Sequence, residues 1–177
     1  MSVYPTWLAG QRVTAANLTS MQRHVIVALA TQSVTNSATL VSDNELTFPL
    51  AANAVYLVEF SLLFNSTSAT GDVKVQWSVP SGTTGLRHVI GPTNNSATFT
   101  NRQDTAVRVA AHAFTTNGVS QLEAGGAATD TLVYERAVVT TSSTPGNVTV
   151  QWAQNAATAA VTLTRDANSF MTVQRVG

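Results

Sequence analysis

Within residues 54–64, every second side chain is large and apolar: Tyr56, Val58, Phe60, Leu62 and Phe64. Alternation with a period of two puts all five on one face of a β-strand. Val55, Leu57 and Leu63 make the opposite face partly apolar as well. A strand that is apolar on both sides is usually central in a sheet, or covered on its second face. Here the cover would be either the N-terminal helix described below or another subunit.

The same period recurs along the chain. Val73, Val75, Trp77 and Val79 alternate with Lys74, Gln76 and Ser78. Residues 131–140 place Leu132, Tyr134, Arg136 and Val138 on one face, and Val133, Ala137 and Val139 on the other. Val148, Val150 and Trp152 alternate again, and shorter stretches at 45–50, 86–90, 105–114, 159–164 and 169–176 read as further strands. Pro49 marks its strand as an edge or an end, because proline cannot donate to a ladder. Asp43-Asn44, Pro80-Ser81-Gly82, Asn117-Gly118 and the 142–146 run are turn signals. Roughly nine or ten strands, with turns about every ten residues, predict a mainly β chain folded as an antiparallel β-sandwich or jelly roll. The motif V-x-V-Q-W occurs twice, at 73–77 and 148–152. Either both copies are core strands of similar design, or they hold related places in two halves of the fold.

One stretch departs from this pattern. Residues 5–13 read as an extended arm carrying Trp7, Leu8 and Gly10. Thr14 is a candidate N-cap, since its hydroxyl can accept from a free backbone N–H of the first helical turn. Leu18, Met21, Val25 and either Ala28 or Leu29 then follow at three-to-four-residue spacing, so the expectation is one amphipathic α-helix fading near Thr31. The chain thus divides into an attachment arm and helix at 1–31 and a β-sandwich at 32–177. Trp7 either folds back on its own domain or anchors the arm in a neighbour, as buried tryptophans do at interfaces. The helix face either packs on its own sheet or, through Leu18, Met21, Val25 and Ala28 in heptad spacing, builds a parallel three-helix bundle.

Composition excludes several function classes. Only 10% of residues are charged and the formal net charge is zero, against about 25% charged in an average soluble protein. A nucleic-acid binder needs a basic stripe to neutralise phosphates, and the one lysine and eight arginines here are scattered. A neutral surface of Thr, Ser, Asn and Ala is poorly protected from self-association. No cysteine is present, which removes disulfides, thiol catalysis and the usual zinc-finger spacings. The first residues, MSVYPTW, contain neither a basic region nor an apolar run, so no secretion signal is expected. No apolar run approaches the ~20 residues that span a bilayer.

Catalytic patterns are missing too. His24, His88 and His112 lack metal-binding spacing, and a metal site would need His88 and His112 to converge with Asp104. Asp43 and Glu45 are the one close carboxylate pair. A glycosidase needs two carboxylates across a cleft, and Glu59 with Glu135 is the distant pair to consider. Ion pairs with Arg136 or Lys74 explain those two more simply. No nucleophile elbow or phosphate loop occurs. No enzyme activity, cofactor or metal is therefore expected.

The pattern W-x-A-G-Q-x-V-T-A-A-x-L at 7–18, the run D-x-x-L-x-x-P-x-A-A-N-A-x-Y at 43–56, and the stretches 148–155 and 169–177 resemble small virion proteins of tailed phages, especially phages of actinobacteria. The resemblance spans most of the chain and is weakest between about residues 83 and 130. It implies a structural virion component of the decoration, fibre or minor tail type, made in the host cytoplasm, and transfers no catalytic residues. The expectation is a homotrimeric capsid decoration or head-fibre protein, attached to the major capsid protein through Trp7, Leu8, Leu18, Met21, Val25 and Leu29. The alternative is a tail or baseplate protein whose sandwich binds host-surface glycans, with Asn94, Asn95 and Asp104 as nearest candidates.

Overall fold

A computed structural model describes residues 8–68, 72–92, 107–120 and 130–177. Within them lie one helix, α1 (Ala15–Met21), and twelve strands. In chain order these are β1 (His24–Val27), β2 (Gln32–Thr35), β3 (Val41–Leu50), β4 (Val55–Ser66), β5 (Val73–Ser78) and β6 (Arg87–Pro92). There follow β7 (Val107–His112), β8 (Gly118–Ser120), β9 (Thr131–Thr140), β10 (Gly146–Gln154), β11 (Thr162–Arg165) and β12 (Phe170–Arg175). All pairings are antiparallel, in an eight-stranded and a four-stranded sheet that form the expected β-sandwich.

The larger sheet runs β1-β12-β4-β9-β6-β7. β4 is central, as its two apolar faces require. β12 and β11 follow one another along one edge of β4, and β2 adds to β11. β4 and β9 pair over ten residues, from Val55↔Thr140 to Phe64↔Thr131. The smaller sheet runs β3-β10-β5-β8. Pro49 sits in β3, an edge strand of the smaller sheet, where prolines within sheets are usually found.

Between the sheets lie Val58, Phe60, Leu62 and Phe64 from β4, Trp77 from β5 and Trp152 from β10, all fully buried. The two V-x-V-Q-W strands are antiparallel neighbours, with Gln76 opposite Gln151 at the centre of their register. The Gln76 amide donates to the Gln151 side chain at 2.8 Å. On either side of that pivot each indole meets a β4 phenyl edge-on, Trp77 on Phe60 at 4.8 Å and Trp152 on Phe64 at 5.4 Å. Both copies are core strands, and they are related by a local twofold within one sheet.

Two expectations need correction. Thr14 does cap α1, accepting from the Asn17 N–H at 3.2 Å, but the helix ends at Met21, and Gln22 already has extended backbone. Val25, Ile26 and Val27 are consecutive β-branched residues, which lose side-chain freedom in a helix. As β1 they pair with Thr172, Met171 and Phe170 of β12, and Ile26 packs against the core. Part of the 1–31 segment thus joins the large sheet. Ala28 is buried, and its N–H donates to Ser169 at 2.8 Å. The 18-21-25-28 heptad therefore does not run along one helix: Val25 and Ala28 lie beyond the end of α1.

Asp43-Asn44, read as a turn, lies inside β3. Its turn chemistry is real: Asp43 Oδ1 accepts the N–H groups of Glu45 and Leu46, both at 3.0 Å. The result is a bulge, which takes up the register shift of β3 against β10 between Thr149 and Gln151.

Candidate functional site

Five of the six residues expected to form the attachment face lie among the described residues, and all five are exposed. Trp7 lies outside the described residues. Leu8 is exposed. Leu18 and Met21, three residues apart, share a face of α1 and are exposed. Val25 points outward from β1, and Leu29 lies in the loop after it, 84% exposed. That loop is held by Glu45, whose carboxylate accepts the N–H groups of Leu29 and Ala30 at 3.0 and 3.2 Å. These two bonds draw the Glu45 carboxyl below its ordinary pKa against a smaller desolvation effect, with Arg165 adding to the lowering.

No residue of α1 is buried, so the helix does not roof the sandwich, and the outer face of β4 lacks the helical cover that its sequence called for. That outer face carries several of the exposed large apolar side chains among the described residues. Adjacent strands give it a row structure. One row reads Val27, Phe170, Ser61, Tyr134, Ile90 across five strands. The next reads Val25, Thr172, Glu59, Arg136, His88. Leu57 beside Val138 and Leu63 beside Leu132 flank these rows on either side. Val138, Leu132, Ile90, Val27 and Phe170 are all exposed. Single exposed apolar residues are ordinary; here they are grouped on one sheet face, on either side of a polar row.

A polar network sits in the middle of the face. Glu59 accepts from Tyr134 at 2.8 Å and from Thr172 at 3.0 Å, and it pairs with Arg23. Arg23 also donates to the Thr172 hydroxyl at 2.8 Å. Burial raises the Glu59 pKa, but the two hydroxyl bonds and the charges of Arg23 and Arg136 outweigh it and hold it below the usual carboxylate value. The folded chain therefore protonates Glu59 at lower pH than the unfolded chain does. Its contribution is present above about pH 4.5 and is lost as pH falls through the folded value. Glu59→Gln should cost about 1 kcal/mol at neutral pH. In urea titrations this cost should shrink steadily under acid conditions; a cost that stays constant with pH would rule out ion pairing as its source.

The sandwich interior holds two further polar clusters. Arg87 and Glu135 are both fully buried and paired at 2.5 Å. The Trp77 indole also donates to Glu135. Burial pushes the Glu135 carboxyl up, opposed by the charge of Arg87 and by the bonds from Trp77 and Arg87. Arg165 grips Asp43 through two nitrogens at 2.7 and 3.2 Å, and the Trp152 indole donates to the same carboxylate at 3.2 Å. Every one of these groups is committed to another protein group, which suits a structural role.

The possible catalytic pairings come apart. Glu59 faces out of the sheet beside Arg136, whereas Glu135 faces in beside Phe60, so the two cannot flank one cleft. Their ion-pair partners are Arg23 and Arg87, not Arg136 and Lys74. His88 shares the outward row of Arg136, and His112 sits opposite the inward-facing Arg87. They lie on opposite faces, and Asp104, like Asn94 and Asn95, is outside the described residues. Among the described residues no three His, Cys, Asp or Glu side chains are grouped to hold a metal ion, and no helix is long and apolar enough to cross a membrane. A cleft of about 390 Å³ opens between α1 and the sandwich seam, lined by Ser20, His24, Phe48, Leu50, Tyr56 and Arg175.

Sequence reasoning missed the two internal ion pairs. Their signal was a charge at an inward position of a strand: Glu135 has the same parity as Val133, Ala137 and Val139. The outer apolar face was half legible, through Leu57 and Leu63.

No protein-family model matches the chain, and no curated protein matches it. Among solved structures it is similar to infectious bursal disease virus Gx strain, at 14% identity and a TM-score of 0.22, over 89% of this chain. It is also similar to the Gt strain of that virus, at 16% identity and 0.23, over 88%. The crystal structure of the infectious bursal disease virus VP2 subviral particle gives 15%, 0.21 and 89%. The chain spans about two-fifths of the length of these proteins, 40%, 40% and 41%. At such TM-scores the likeness does not establish a shared fold.

Proposed function

We propose that this protein is a non-enzymatic structural component of a tailed-phage virion, attached to the particle through the segment that precedes β1. The observation that carries this reading is the state of that segment. Leu8, Val13, Leu18 and Met21 are all exposed, and α1 buries nothing. The sandwich has a closed core without these side chains, so they serve as surface for something else. Their sequence context, W-x-A-G-Q-x-V-T-A-A-x-L, is one of the stretches that resemble small virion proteins. The favoured partner is the major capsid protein, with a tail or baseplate protein as the other location. The threefold expectation rested on a heptad that β1 interrupts, so the proposal keeps attachment and drops the bundle.

The test uses the phage that encodes the chain. Purified particles should contain the full-length protein, as read by mass spectrometry. A chain lacking residues 1–22, which leaves β1 and Arg23 in place, should fold with the same far-UV circular dichroism and be lost from the particles. Absence of the full-length protein from particles would refute the virion reading. Particles that retain the shortened chain would refute attachment through this segment.

A further inference from the structure

The outer face of the eight-stranded sheet leaves Val27, Ile90, Leu132, Val138 and Phe170 exposed, away from the arm and α1. We propose that a second copy of this chain covers it, in a twofold dimer whose axis runs parallel to β4 and β9 and passes between them. The inference goes beyond the virion reading and does not depend on it.

The strand order carries the first part of the argument. In the run β1-β12-β4-β9-β6-β7, the β4/β9 boundary is the midpoint, with three strands on either side. A twofold axis there lays β4 over the partner's β9, β12 over the partner's β6 and β1 over the partner's β7. No other axis parallel to the strands matches the whole six-strand run with itself.

The residues on the rows carry the second part. The operation keeps each residue in its row and exchanges the strands. Glu59 then faces the partner's Arg136, and Arg136 faces the partner's Glu59. Leu57 meets the partner's Val138, Leu63 meets the partner's Leu132, and Phe170 meets the partner's Ile90. Apolar groups oppose apolar groups, and each Glu59, already paired with Arg23, lies across from the partner's Arg136. A twofold axis along the Glu59 row would instead set Glu59 against Glu59, and one midway between the two rows would set Glu59 against the partner's Ser61. Contacts of like charge are what electrostatic complementarity selects against.

Size and charge agree with this. The 44 residues of these six strands, each covering about 3.3 by 4.8 Å, give a face of roughly 700 Å². That is about the area each partner contributes to a standard interface. The formal net charge of zero means that two copies approach without overall repulsion. It also leaves little to attract a nucleic acid or an anionic surface. Two antiparallel sheets stacked face to face is how β-sandwiches already bury such surfaces.

The experiment measures the mass of the purified chain in solution by sedimentation equilibrium over a hundredfold range of concentration. The unmodified protein should approach twice the chain mass of 18.6 kDa. Leu132→Arg with Val138→Arg changes two side chains that are exposed in the single copy. This variant should keep its circular dichroism and melting temperature and should self-associate at least tenfold more weakly. A second variant guards against misfolding of the first. Ile90→Arg with Phe170→Arg, at two other positions exposed in the single copy, should weaken self-association likewise while the circular dichroism stays unchanged. A protein that stays at the single-chain mass throughout, a trimer, or a dimer indifferent to both arginine pairs would each overturn the inference. The single-chain result would assign the face to a different partner and leave the particle test untouched.

Discussion

Arg165→Met should lower the unfolding free energy by about 3–5 kcal/mol, the usual cost of breaking a buried pair from one side. The Arg165 side chain is 1% exposed and that of Asp43 fully buried. Its Nε and Nη2 engage both Asp43 oxygens, and Nη1 donates to the Ala30 carbonyl at 2.6 Å. Taking the cation away leaves the Asp43 charge in the interior with only neutral donors: the Trp152 indole and two backbone N–H groups. A domain of ordinary stability, about 5–15 kcal/mol, would lose a fifth or more of it. Replacing both partners, Arg165→Met with Asp43→Leu, should recover part of the loss, because a well-packed apolar pair is often no worse than a buried ion pair. Asp43 also shapes the β3 bulge, so recovery should be incomplete. Urea unfolding of the three variants reads all of this. A loss under about 1 kcal/mol for Arg165→Met would mean that water reaches the pair.

That cluster shows where sequence reading stops. The period-two runs located most strands because alternation is local: β4, β5, β9 and β10 each show their inward face within ten or so residues. The N-cap at Thr14 was legible for the same reason. The end of α1 was not. Helical spacing at Leu18, Met21 and Val25 competes with a β-branched triplet, and the outcome is decided by β12, more than 140 residues away. Asp43 read as a turn because its side chain does bond to nearby N–H groups; only the long-range partner Arg165 turns that local bend into a bulge within a strand. The candidate contact surface divides in the same way. The exposure of Leu18 and Met21 follows from the absence of any sheet above them, a fact of tertiary structure, whereas the apolar second face of β4 was visible in Leu57 and Leu63.

The two V-x-V-Q-W strands give the second large expected effect. Trp77→Ala and Trp152→Ala should each cost about 3–5 kcal/mol, as large aromatic truncations in a packed core do. Both rings are fully buried, and each loses an edge-on phenyl contact, Phe60 for Trp77 and Phe64 for Trp152. Phenylalanine substitutions separate the ring from its N–H. Each keeps most of the aromatic packing but leaves a buried carboxylate short of one donor, a penalty of about 1–3 kcal/mol. The two sites should then differ despite their local twofold. Asp43 retains the Glu45 and Leu46 N–H groups and the two-pronged Arg165. Glu135 keeps Arg87 alone, and Arg87 divides its donors among Glu135 and the carbonyls of Val75, Ala113 and Thr116. Trp77→Phe should therefore destabilise more than Trp152→Phe. Equal losses in urea unfolding would mean that the indole N–H groups contribute little and that ring volume alone sets the cost. The reverse order would mean that the Arg87–Glu135 pair is satisfied without Trp77.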